Sequence, residues 1–224
     1  PNHWVGRGTD TNWDTAANWE FGVPREDATA VFDASANVIL DSSKTISNIV
    51  VNAGATVRFR TGRLYSVWPS LIIQETGGDG TMQFSIAGLQ ANHVNSSTVY
   101  INTANIEFQS AESDDWFTAG GAEGQKLVVN SRVKVQGFMR AYSGVHFVGD
   151  LVLDGGSIYL SDKAVVEKLV LDSALKFGKS NDDPPVDSAG TIKSIVVRSA
   201  TYDYSSSSDK TCPLTIDGGS VDIG

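Results

Sequence analysis

Apolar residues in this chain recur on a two-residue period, in short bursts, and the bursts themselves recur. The clearest is Leu151-Val152-Leu153-Asp154-Gly155-Gly156-Ser157-Ile158-Tyr159-Leu160, two short apolar runs around an Asp-Gly-Gly break. It returns near the C-terminus as Leu214-Thr215-Ile216-Asp217-Gly218-Gly219-Ser220-Val221-Asp222-Ile223. Weaker copies begin at Ile49, Leu71, Val99, Leu127, Leu169 and Ile195, so the eight starts are spaced by 22, 28, 28, 24, 18, 26 and 19 residues, with a mean near 24.

An apolar-x-apolar run is a strand with one buried face. A unit of this size cannot bury that face alone, and stacking on its neighbours completes the core. The pattern predicts a right-handed parallel β-helix (β-solenoid) whose coils carry short strands joined by corners. Gly supplies the positive φ that corners need, and Asp or Asn tolerates it. The Leu151 run is then expected to pair with the Leu127 and Leu169 runs one coil away, rather than with Ile158 across a hairpin. Val145-His146-Phe147 and Val165-Val166 supply a third strand in their coils. Uneven spacing places insertions at corners, the largest being 75–80, 88–97, 110–125 and 179–190. No stretch reads as helix beyond one turn at 161–167. The rival architecture is a β-sandwich of about eight to ten strands; the repeated corner motif favours the solenoid.

Residues 1–45 have a different texture, and 46–224 form the coils. Three of the five tryptophans fall in the first 19 residues, among Asn, Asp, Thr and Gly. Indoles spaced among turn formers are expected to fold inward over the end of the stack, their N–H groups finding carbonyls; a sugar-stacking row is the alternative. The pattern Trp4-x-Gly6, Trp13, Ala17-Asn18-Trp19, Gly22-x-Pro24, Asp27-x-x-Ala30-x-Phe32 resembles the N-terminal segment of bacterial cell-surface and secreted parallel β-solenoids, the autotransporter passenger-like and pectin-lyase-like β-helix proteins. The resemblance implies an N-terminal aromatic-rich cap on a β-helix and an extracellular or cell-surface location. The membrane barrel of an autotransporter has no counterpart in this chain.

The chain stops mid-motif at Gly224. An uncapped solenoid end leaves pairing edges open, so the expectation is either a fragment of a longer solenoid or self-association through the solenoid ends, a heterologous contact that builds fibres.

Composition narrows the partners. Of 224 residues, 17 are Lys or Arg and 26 Asp or Glu, a net charge of -9. Nucleic-acid affinity rests on neutralising phosphates, so nucleic acid is not expected. No run reaches the roughly 18 apolar residues of a membrane span. Cys212 is the single cysteine and reads as a small buried hydrophobe. The histidines, His3, His93 and His146, form no metal-ligand spacing, and no Gly-x-Ser-x-Gly elbow or phosphate loop is present. No cofactor and no catalytic residue is assigned.

The acidic aromatic run Asp114-Asp115-Trp116-Phe117 falls in a long corner and carries the groups a sugar site uses, carboxylates and a stacking ring. Arg132, Lys134 and Arg140 follow it and could face acidic sugar. The competing reading is a solvated loop with Trp116 and Phe117 tucked onto the flank. Asp182-Asp183-Pro184-Pro185 reads as a rigid surface loop, and Asn95-Ser96-Ser97 as an incidental glycosylation sequon. The expected function is a structural or adhesive extracellular module. The alternatives are a carbohydrate-binding or polysaccharide-degrading β-helix, and a phage tail-spike or fibre segment.

Overall fold

The computed structural model describes all of the 224 residues except 63–68, 110–114, 121, 173–175, 178–185, 189, 199–200, 204–213, 217–219 and 223–224; at 115, 176–177, 186–188, 201–203, 214–216 and 220–222 it describes the backbone alone. Cys212, Asp114 and the Asp182–Pro185 run lie outside the described residues.

The chain is an all-β parallel β-helix with three faces per coil. Face 1 stacks Thr29–Phe32, the second half of Lys44–Val51, the end of Ser70–Gly77, Thr98–Ile101, Lys126–Val129, Val145–Phe147, Val165–Val166 and Thr191–Ile192. Face 2 is a nine-stranded sheet from Ala36–Leu40 to Leu214–Ile216. Face 3 runs from the first half of Lys44–Val51 through Ser70–Gly77, Gly88–Ala91, Asp115–Thr118, Phe138–Ala141 and Ser157–Leu160 to Val186–Ser188. Among the described residues every pairing between strands is parallel, which excludes the antiparallel sandwich. Along face 2 one inward row reads Val38, Phe59, Phe84, Phe108, Val135, Leu153, Leu171, Val197, at intervals of 18 to 27 residues.

That row corrects one expectation. Leu151 does pair with Leu169, but its other neighbour is Val133; Leu127 belongs to face 1 and pairs with Val145. All three strands of a coil share the apolar-x-apolar pattern, so aligning runs by pattern mixes faces. Val145–Phe147 and Val165–Val166 are strands of face 1, as expected. The long corners 88–97 and 110–125 are shorter than expected. Gly88–Ala91 and Asp115–Thr118 are strands of face 3. Phe117 is therefore fully buried in the core rather than laid on the flank.

The cap closes the start of the stack on each face. Asn2–His3 pairs with Thr29–Phe32 on face 1. Asn12 bridges Ile39 on face 2, where Trp13 N donates to the Ile39 carbonyl. On face 3, Lys44 Nζ reaches Asp14 at 2.6 Å. Trp13 and Trp19 are 2% and 3% exposed, which decides for the cap over a sugar-stacking row. From Trp19 an aromatic file descends through Phe32, Phe59, Phe84 and Phe108 to Phe117 and Phe147, with consecutive centroids 5.2–5.9 Å apart. The residues 126–141, one full coil, contribute no ring to this file. Phe117 lies on face 3 and Phe147 on face 1, and their centroids are 5.3 Å apart. Ala141, the register partner of Phe117 one coil on, is fully buried on face 3.

The Asp154-Gly155-Gly156 corner carries the chain from face 2 to face 3. Gly155 adopts φ +80 with nothing near its missing Cβ, whereas a Cβ on Gly156 would lie 2.5 Å from the Val135 carbonyl oxygen. The two glycines are needed for different reasons, one conformational and one spatial.

Candidate ligand groove

The two longest strands, Lys44–Val51 and Ser70–Gly77, each span eight residues because each turns from face 3 onto face 1 without leaving the ladder. Their strict alternation breaks at the turn. Inward residues step from Ile46 to Ile49 and from Ile73 to Thr76, so Ser47-Asn48 and Gln74-Glu75 each put two consecutive side chains outside. In the next coil that edge carries an insertion, residues 92–97. His93 ties it down, one ring nitrogen 2.9 Å from the Ser96 carbonyl oxygen and the other 2.6 Å from that of Ala119.

The result is a groove of about 420 Å³ on the outer flank. Its floor is one register row across four coils, in which Thr29, Asn48, Glu75 and Tyr100 are successive partners. Asn92, Asn95 and Ser96 of the insertion form a wall, and Ser47, Gln74 and Thr98 complete the polar lining. Tyr100 is 47% exposed, an aromatic surface open to the groove. Glu75 receives a 3.4 Å hydrogen bond from Asn102 Nδ2, and Asn102 Oδ1 accepts one from Asn130 Nδ2 at 2.7 Å, so the carboxylate is held by an asparagine ladder one coil on. Asn48 Oδ1 is buried with no hydrogen-bond partner. Uncharged amides and hydroxyls, which both donate and accept, dominate the lining, and it contains no Lys, Arg or His.

The residues singled out in the sequence fall on two different faces. Asp115 opens the strand Asp115–Thr118, and Trp116 is the register partner of Arg140, which in turn partners Tyr159. These lie on face 3, with the Arg140 guanidinium 5.3 Å from the Phe138 ring centre. Arg132 and Lys134 lie on face 2, in register with Asn105 and Glu107. Lys134 Nζ sits 3.5 Å from Asp154 and 4.0 Å from Glu107. The structure therefore joins Trp116 with Arg140 and separates both from Arg132 and Lys134.

Elsewhere the flank charges answer one another across coils. Lys168 meets Asp150 at 2.9 Å. Glu167 Oε1 takes Lys193 Nζ at 2.7 Å and His146 Nε2 at 2.6 Å, and these partners, Lys193 foremost, hold its carboxyl below the usual glutamate range. Near the cap, the His3 ring and then the Asn52 amide lower the Asp33 carboxyl in the same way. Among the described residues no three His, Cys, Asp or Glu side chains gather as a metal site. Among them, too, no helix is long and apolar enough to cross a membrane. No protein-family model, curated protein or solved structure matches the chain.

The groove was missed in the sequence, although a signal for it exists. Ile46-x-x-Ile49 in an otherwise two-residue period marks a strand that rounds a corner, and the same step recurs at Ile73-x-x-Thr76.

Proposed function

We propose that this chain is a structural or adhesive extracellular β-solenoid module, a stiff rod of the kind found in autotransporter passenger-like proteins at the bacterial cell surface, able to associate through its ends. The observation that carries the reading is the continuity of the stack. One core and one aromatic file run through successive coils, and the flank ion pairs Lys134–Asp154, Lys168–Asp150 and Lys193–Glu167 staple one coil to another rather than converging on a reacting centre. Exposed pairs of this type add little stability singly, but they fix the register of neighbouring coils. Three-faced coils stacked at about 4.8 Å give an elongated shape by construction.

Surface display tests the reading. Cells carrying the chain on a neutral anchor are expected to bind to one another or to a solid support more strongly than cells carrying the anchor alone, and the isolated chain is expected to scatter X-rays as a rod. A compact scattering profile, or release of reducing ends from a polysaccharide panel by the purified chain, would overturn it.

A further inference from the structure

We infer that the flank groove over Asn48, Glu75 and Tyr100 binds a neutral oligosaccharide. The inference rests on the adhesive reading above and gives it a ligand class. Three features of the groove point to sugar. Its floor is a straight row of side chains on four successive strands, about 14 Å from first to last at strand spacing, a track for a short linear chain rather than a pit for a compact metabolite. Its walls are amides and hydroxyls, Gln74, Asn92 and Asn95 among them. A sugar hydroxyl is both donor and acceptor, and an amide presents both in fixed geometry. Tyr100 adds an exposed ring of low conformational cost, with an apolar face for the C–H side of a pyranose and a hydroxyl at its edge.

Charge selects against the acidic sugars that the sequence suggested. The groove holds one carboxylate, Glu75, and no cation, on a protein of net charge -9. An anionic sugar would be repelled with nothing to pair it. A neutral one meets Glu75 as a hydroxyl acceptor, already oriented by Asn102. The site is also built before binding: both edges of the floor are strands, and His93 anchors the wall to the next coil. Preorganisation of this kind removes part of the ordering cost of association.

The experiment is a binding titration by NMR and calorimetry of the whole chain against neutral hexasaccharides (cello-, laminari-, malto- and manno-series), with oligogalacturonate as the acidic probe. At least one neutral series is expected to bind and oligogalacturonate to bind none. Tyr100→Ala and Asn95→Ala, both at exposed positions, are expected to weaken binding about tenfold or more, with unchanged circular dichroism and melting temperature. Tyr142→Ala, an exposed aromatic away from the groove, is expected to leave it intact. Absence of binding to every neutral series, preference for the acidic probe, or equal loss in Tyr142→Ala would overturn the proposal. A rod that raises cell adhesion but binds none of these sugars removes the groove proposal alone; polysaccharide cleavage removes the adhesive reading as well.

Discussion

Trp19 Nε1 donates a 2.8 Å hydrogen bond to the backbone carbonyl of Trp13, inside a cap where both indoles are almost fully buried. Trp19→Phe keeps the ring but strands that carbonyl, and is expected to cost about 1–3 kcal/mol. Trp19→Ala also opens a cavity above Phe32 and is expected to cost about 3–5 kcal/mol. Urea denaturation of the two variants checks the order. Because the cap covers the first pairing edges, the Ala variant is further expected to aggregate at protein concentrations where the parent stays monodisperse, which light scattering reads.

Ala141 is fully buried on face 3, in register with Phe117 one coil below. Ala141→Leu is expected to destabilise by about 1–3 kcal/mol through overpacking, although a leucine suits an inward strand position. A thermal melt decides: an unchanged or raised midpoint would contradict the packing described for this coil.

The two glycines of the face 2 to face 3 corner should respond differently. Gly155→Asn keeps a residue that tolerates positive φ in open space, and is expected to cost less than about 1 kcal/mol. Gly156→Ala drives a Cβ against the Val135 carbonyl and is expected to cost more, about 1–3 kcal/mol. Equal midpoints for the two variants would refute the distinction.

Glu167 supplies a pH dependence. Its folded carboxyl titrates below the ordinary glutamate value of about 4.3, held down by Lys193 and then His146. A depressed folded value stabilises the fold above the unfolded value, and that stabilisation is lost as pH falls through the folded one. The melting temperature of the parent should therefore exceed that of Glu167→Gln at neutral pH, and the gap should close on acidification below about pH 4. A gap that stays constant to pH 3 would show that the pair does not act as described.

Much of the fold was legible in the sequence, and the reason is periodicity. The apolar-x-apolar runs, the corner glycines and the tryptophan-rich cap each have one economical physical solution, and the solution is a stacked coil. Phase was not legible. Val133 and Leu127 both begin apolar-x-apolar runs, and nothing local says which one lies above Leu151. Face 3 was the hardest to see, because Gly88-Leu89-Gln90-Ala91 and Asp115-Trp116-Phe117-Thr118 fill inward positions with Ala or carry Gly and Asp, residues that look like corners. The candidate site suffered from the same ambiguity. Trp116, Arg132, Lys134 and Arg140 are close in sequence, but three short strands per coil scatter them over two faces. Convergence in a solenoid comes from equal register in successive coils, as with Asn48, Glu75 and Tyr100, which are 25 or more residues apart.

The aromatic file also bears on how such a chain can be lengthened or cut. Phe59, Phe84 and Phe108 keep one register row on face 2, and the file then steps to Phe117 on face 3 and Phe147 on face 1. Removing the coil that holds Phe108 and Phe117 would leave Phe84 on face 2 and Phe147 on face 1 with no ring between them. The coils are therefore not freely interchangeable: a recombination that respects the repeat length but ignores the face on which each ring sits should yield a chain that fails to close its core.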